Sequence, residues 1–226
     1  NRIFAIKSDK DSAMEFVNFL ARWGHLLFGM TWIGLLYYFN FIQGGYFKQA
    51  SPEGLSDAKA KLAPEALWWF RWGAMFTFLT GVVLLMGVSK QHVMNDYIVV
   101  GATMGTLMFL NVWLIIWPNQ KIALGMVEGD GPAAGAKALL ASRTNVLFSG
   151  PMAYGMLAGA HSGGYADANL AAGTGGGTAL WIALAIVAVL EVNAIVGKQG
   201  PMTTVRGVIV SSIVLTAIVM GVLAVL

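Results

Sequence analysis

Long apolar runs alternate with short polar connections along this chain. Six runs reach or approach the length of about 20 residues with which a helix crosses a bilayer core. They cover roughly 16–39, 67–88, 97–117, 145–160, 178–196 and 205–226, and the fourth is short and rich in glycine. Tryptophans mark several edges. Trp68, Trp69 and Trp72 open the second run and Trp117-Pro118 closes the third, at the depth where aromatic rings bridge hydrocarbon and water. Pro118 signals either a helix end or a kink. Between the first two runs, Ser51-Pro52-Glu53 has the form of a helix start and predicts a short helix lying at the membrane surface. Segment 162–177 is dominated by Gly and Ala and reads as a flexible loop. The pattern predicts an all-α fold. Residues 1–226 form one domain, a polytopic membrane bundle of about six transmembrane helices.

Composition narrows the class. The chain is 57% apolar and 11% charged, against about 25% charged in a soluble domain. Its formal charge of +3 is too small, and its basic residues too dispersed, to argue for nucleic acid. There is no cysteine, which excludes disulfides, thiolate-bound zinc, iron–sulfur clusters and c-type haem attached through CxxCH. No HExxH and no histidine pair at i, i+4 occurs, so the common zinc-hydrolase pattern is absent. Lys48, Lys59, Lys61, Lys121, Lys137, Arg143, Lys198 and Arg206 fall on one side of the predicted spans; Arg2, Lys7, Lys10, Arg22 and Lys90 fall on the other. The excess of Lys and Arg marks the cytoplasmic side. The expectation is a multi-pass protein of the bacterial inner membrane with both termini on the periplasmic side.

Ionisable side chains inside spans are costly and therefore candidates for function. The chain has three histidines. His25 lies within the first run, His161 ends the fourth, and His92 sits in the connection between the second and third. Counting spans puts His25 and His161 in the same leaflet. Two imidazoles facing each other across a bundle can ligate a haem iron from both sides, so the reading is b-type haem with His25 and His161 as metal ligands. Nearby glycines would admit the macrocycle. Trp32, with Trp23, Phe28 and Tyr154, would line it, and Arg22, one turn outward from His25, would meet a propionate. The alternative is that both histidines serve only packing and the interface.

A second polar set occupies the other half of the spans: Asn40, Arg71, Asn111, Asn145, Glu191 and Asn193. Glu191 is the carboxylate set deepest in a run, and Arg71 is its candidate counter-charge. Either this set locks helix packing, or Glu191, Arg71 and Asn111 form a proton path or a small-molecule site. The spacings Gly101-xxx-Gly105 and Gly155-xxx-Gly159 suit close helix approach, and packing is their simplest reading.

Three stretches then combine. They are His25-Leu26-Leu27-Phe28-Gly29-Met30-Thr31-Trp32-Ile33-Gly34; Asn111 to Lys121 with its Trp117-Pro118-Asn119-Gln120-Lys121 string; and Ser142-Arg143-Thr144-Asn145 followed by Ser149-Gly150-Pro151-Met152 and His161. In order and spacing, roughly residues 15–161 resemble the membrane domain of bacterial membrane-bound urate oxidase, the urate-oxidase N-terminal domain family. The resemblance implies a multi-span oxidoreductase domain working on urate or another small molecule and delivering electrons to a cytochrome c domain. Without cysteine, this sequence has no such attachment site. The expectation is therefore an electron-transport protein that exchanges electrons with a separate cytochrome, or else a non-catalytic accessory subunit of a larger membrane complex.

Overall fold

The computed structural model describes residues 9–90, 94–161 and 177–226. The regular elements among them are all helical, as the sequence predicts. Five helices are long and apolar enough to cross a membrane: Ser12–Gln49, Pro52–Ser89, Asp96–Ala123, Thr178–Val196 and Val205–Val225. The chain is a multi-pass membrane protein.

Three of the five are continuous through a π-helical turn. Helix α1 (Asp9–Tyr37) passes through Tyr38–Gln43 into α2 (Gly44–Gln49). Helix α3 (Pro52–Asp57) passes through Ala58–Leu62 into α4 (Ala63–Lys90). Helix α5 (Asp96–Leu110) passes through Asn111–Ile116 into α6 (Trp117–Ala123). Then follow α7 (Gly131–His161), α8 (Thr178–Val196), a 3-10 turn (Gly200–Thr203) and α9 (Val205–Val225). Side-chain caps fix several starts, because the first N–H groups of a helix lack intrahelical acceptors. Ser51 Oγ accepts from the Gly54 N–H at 3.1 Å, Asn95 Oδ1 from Ile98 at 3.1 Å, and Thr204 Oγ1 from Gly207 at 2.9 Å.

Two local expectations change. The helix that starts at Ser51 is not a separate surface element; it runs on into the second span. Pro118 does not end the third span either. It occupies the first turn of α6, directly after the Asn111–Ile116 turn. A π turn shifts the hydrogen-bond ladder by one residue, which accommodates a residue that has no N–H to donate.

The fourth run differs most. It lies inside α7, which begins at Gly131 and is not among the five apolar spans. Residues 140–149 of α7 are all buried, including Ser142, Arg143, Thr144, Asn145 and Ser149. Helix α7 packs against α5, α6 and α9 and also touches α1 and α8. Being sheathed by other helices, it does not need the apolar surface that lipid demands of its neighbours. That is why its buried polar centre, Ser142 to Asn145, does not stand out by hydropathy in the sequence. The outward faces of the other spans carry the lipid-type residues, among them Leu26, Met30, Trp181, Val189, Val192 and Ile213.

The glycine spacings serve packing. A Cβ on Gly155 would lie 2.6 Å from the Tyr97 carbonyl oxygen, and one on Gly101 3.1 Å from the Met152 carbonyl oxygen. Backbones of α5 and α7 therefore approach as closely as small residues allow. Helices α4 and α5 are joined by aromatic contacts, with Phe78 and Phe109 stacked at 4.2 Å and Trp72 edge-on to Trp113 at 5.8 Å.

Candidate functional site

His25 lies on the inward stripe of α1 that also carries Trp32 and Leu36, at the four- and seven-residue spacing of one helix face. Its ring turns toward α4. Nδ1 is 2.9 Å from the Thr77 carbonyl oxygen and 3.2 Å from Thr80 Oγ1. A carbonyl can only accept, so Nδ1 carries the proton and Nε2 keeps its lone pair. Histidines that ligate metals have this arrangement, in which the hydrogen bond on one nitrogen sets the tautomer and direction of the other. Gly81 makes room for the ring: a Cβ there would be 3.1 Å from His25 Cε1.

The residues expected around His25 are dispersed. Trp32 is 2% exposed and packs against Gly73 of α4, with its indole Nε1 buried and unpartnered among the described residues. Arg22 is exposed. Trp23 and Tyr154 are 57% and 48% exposed, and Phe28 pairs with Phe76 at 5.0 Å. The glycines near both histidines are occupied by helix packing. Gly24 faces Thr80, Gly29 faces Thr77, and Gly159 closes on Ile98 and Asn95. An aromatic groove between Leu27 and Thr31 of α1 and Trp68, Trp72 and Phe76 of α4 holds about 170 Å³, below the roughly 300 Å³ of a small-ligand pocket.

His161 ends α7; its side chain, like His92, lies outside the described residues. Its backbone level follows from α1 and α7. Tyr37 OH and Ser149 Oγ are hydrogen-bonded at 2.8 Å, and Asn40 donates from Nδ2 to Ser142 Oγ at 2.7 Å. Later residues of α1 thus meet earlier residues of α7, so the two helices are antiparallel. His25 and His161 each stand twelve residues from the Tyr37–Ser149 contact, roughly 18 Å along a helix rising 1.5 Å per residue.

The second polar set gathers on α7. Asn111, in the π turn after α5, donates from Nδ2 to Asn145 Oδ1 at 3.0 Å and to Glu191 Oε2 of α8 at 3.2 Å. Asn145 in turn donates from Nδ2 to the Met108 carbonyl at 3.0 Å. Asn40, in the π turn after α1, also donates to the Leu36 carbonyl at 2.9 Å. Both asparagines therefore reach α7 from π turns, which widen a helix and redirect its side chains. Arg71 is elsewhere. Its guanidinium carbon sits 3.4 Å above the Trp117 ring, a cation–π contact, and it makes no ion pair with Glu191. Asn193 is not in the set: it accepts from the Lys198 N–H and donates to the Lys198 carbonyl, closing the end of α8.

No protein-family model matches this chain, and neither a curated protein nor a solved structure matches it.

Chemistry must therefore be read from the side chains. Among the described residues, no group of three or more His, Asp or Glu converges as a metal site. With its proton on Nδ1, the His25 imidazole could offer Nε2 to a haem iron. The packed glycines do not fit a macrocycle resting on them. Three residues escaped the sequence pattern. Tyr37 and Ser149 tie α1 to α7. Arg143 is counted from sequence as a loop cation, yet it is 7% exposed inside α7. A signal for it existed. Ala134, Ala138, Ala141 and Asn145 recur at helical spacing around it, and all four are buried.

Proposed function

We propose that this chain is a membrane electron-transfer protein of the urate-oxidase N-terminal domain type, holding b-type haem with His25 as one axial ligand. The observation that supports it is the Nδ1 hydrogen bond from His25 to the Thr77 carbonyl, which presents Nε2 as a lone-pair donor. His161, at the matching level of α7, is the candidate for the opposite position. Haem, when bound, would supply one-electron chemistry whose potential is set by its ligands and burial. The chain's own part is to hold the imidazole tautomer through Thr77 and Thr80, and the exposed Arg22, one turn outward on α1, would be the residue to meet a propionate. A separate cytochrome of c type is the partner that this reading calls for. Its setting is the bacterial inner membrane, with the Ser51 end of the bundle cytoplasmic, since Lys48, Lys59, Lys61 and Lys121 gather there. The substrate side of such an oxidoreductase would fall to Asn111 and Glu191, which are joined; Arg71 stands apart on Trp117.

The test is a visible spectrum of protein purified from native membranes, with His25→Ala and His161→Ala beside it. A Soret band that is lost in either variant supports the reading; a colourless preparation from haem-replete cells sinks it. A second reading is favoured by the packed glycines and by the mutual hydrogen bonds of the α7 set: a non-catalytic accessory subunit of a larger membrane complex. It predicts no chromophore and a stoichiometric larger chain co-purifying from the same membranes.

A further inference from the structure

Among the described residues, Arg143 is the charged side chain that is buried. It is 93% buried, and its Nε and Nη1 are both shielded from solvent without a hydrogen-bond acceptor among the described residues. Arginine cannot relieve this by losing its proton, and a buried ion without a partner is strongly unfavourable. Neither α7 nor α9 contains an Asp or Glu. The carboxylate of α8, Glu191, is engaged by Asn111.

Position adds a second observation. Arg143 shares a face of α7 with Val146 and Gly150, three and seven residues on. Gly150 abuts α9, where a Cβ would meet Ser212 Oγ at 2.5 Å and Thr216 Oγ1 at 3.1 Å. Glu191 lies level with Asn145 through Asn111. Five residues later α8 ends, the chain turns at Gly200–Thr203, and α9 returns to reach Gly150 at Ser212. Helices α7 and α9 therefore run in the same direction. Two turns back from Ser212 is Val205, in the first turn of α9, level with Arg143. Thr204 caps the Gly207 N–H, but the first N–H groups of the helix still point toward its start and carry the positive end of its dipole. By this register the buried Arg143 stands level with the N-terminus of α9, and no acidic partner is paired with it among the described residues.

We propose that Arg143 and the first turn of α9 bind an oxyanion, either a small free carboxylate or phosphate or the phosphate of a lipid headgroup. This site is independent of the haem reading. Arginine and a helix N-terminus each suit an oxyanion, and here the register brings them to one level of the bundle.

The experiment uses the full chain in nanodiscs of pure phosphatidylcholine and follows thermal unfolding. Inorganic phosphate or acetate replaces chloride at constant ionic strength. A saturable rise in apparent Tm is expected, since an ion that binds only the folded state stabilises it in proportion to its occupancy. Arg143→Met, which removes the buried charge but keeps an apolar side chain of comparable length, should unfold at or above the wild-type temperature in chloride and ignore both anions. A rise seen only when phosphatidylglycerol is added to the discs, and lost in Arg143→Met, identifies the lipid phosphate as the source. If none of the three probes stabilises the wild type, or if Arg143→Met responds equally, the site does not exist. Should Arg143→Met fail to fold, Arg143→Lys decides: a midpoint concentration raised at least tenfold supports the site, and an unchanged one overturns it.

Discussion

Asn111 and Asn145 meet side chain to side chain at 3.0 Å, joining the π turn after α5 to the buried centre of α7. The same Asn111 amide also reaches Glu191 on α8, so one side chain links three helices. Asn111→Ala would leave Asn145 Oδ1 and Glu191 Oε2 without that donor. We expect a loss of about 1–3 kcal/mol, the cost of orphaned buried polar groups. A double-mutant cycle with Asn145→Ala should give a coupling of about 0.6–1.7 kcal/mol, the range for interhelical hydrogen bonds in membranes. Reversible unfolding in mixed micelles measures both; a coupling of zero would mean that the two amides do not interact.

The α5–α7 contact predicts an asymmetry between two glycines. Alanine at 155 would put Cβ 2.6 Å from the Tyr97 carbonyl oxygen, a backbone atom that cannot move aside without separating the helices. Alanine at 105 would put Cβ 3.5 Å from Met152 Sδ, an ordinary contact with a flexible chain. Gly155→Ala should therefore cost about 1–3 kcal/mol, as overpacking does. Gly105→Ala should stay within about 0.5 kcal/mol of wild type. Melting the two variants side by side checks this, and equal losses would contradict the close approach.

What the sequence made legible is whatever lipid dictates. The runs ending at 39, 88 and 117 and those starting at 178 and 205 all fall, the last to within one residue, within spans that length and apolarity define, because a lipid-facing helix must be apolar. The Ser51 start was legible because Ser-Pro-Glu is a local cap. Helix α7 was legible only in part, since a helix wrapped by others obeys hydrogen bonding rather than hydropathy. The same limit hid Arg143, whose type suggests a loop and whose burial comes with the several helices packed around α7. The π turns at Tyr38–Gln43 and Asn111–Ile116 have no distinctive residue pattern, so the meeting of Asn40 and Asn111 with α7 could not be read from spacing. Charge alone pairs Arg71 with Glu191, whereas Arg71 lies on the aromatic face of Trp117.

That face makes a graded prediction. Arg71 lies 3.4 Å from the Trp117 centroid and Lys121 5.4 Å from it. Cation–π attraction falls with distance and grows with desolvation, reaching about 0.5–2 kcal/mol. Arg71→Met should lose about 1 kcal/mol or more of stability, and Lys121→Met clearly less. In a Trp117→Leu background, Arg71→Met should lose its effect. An undiminished loss there would show that Arg71 acts through some other partner.

The histidine geometry can be tested without any cofactor. The Thr77 carbonyl fixes the proton of His25 on Nδ1, and Thr80 Oγ1 accepts from the same atom while donating its own hydrogen to the Phe76 carbonyl at 2.6 Å. Nitrogen-15 spectra of histidine-labelled protein at neutral pH should show one imidazole protonated on Nδ1 and bare on Nε2. Thr80→Val should leave that tautomer in place, because the carbonyl partner persists. Gly81→Val should disturb it, because even a single added carbon would stand 3.1 Å from Cε1 and push the ring off Thr77. If Gly81→Val leaves the signal untouched, or if the wild-type ring carries its proton on Nε2, then His25 is not held as a ligand and the α1–α4 contact around it serves packing alone.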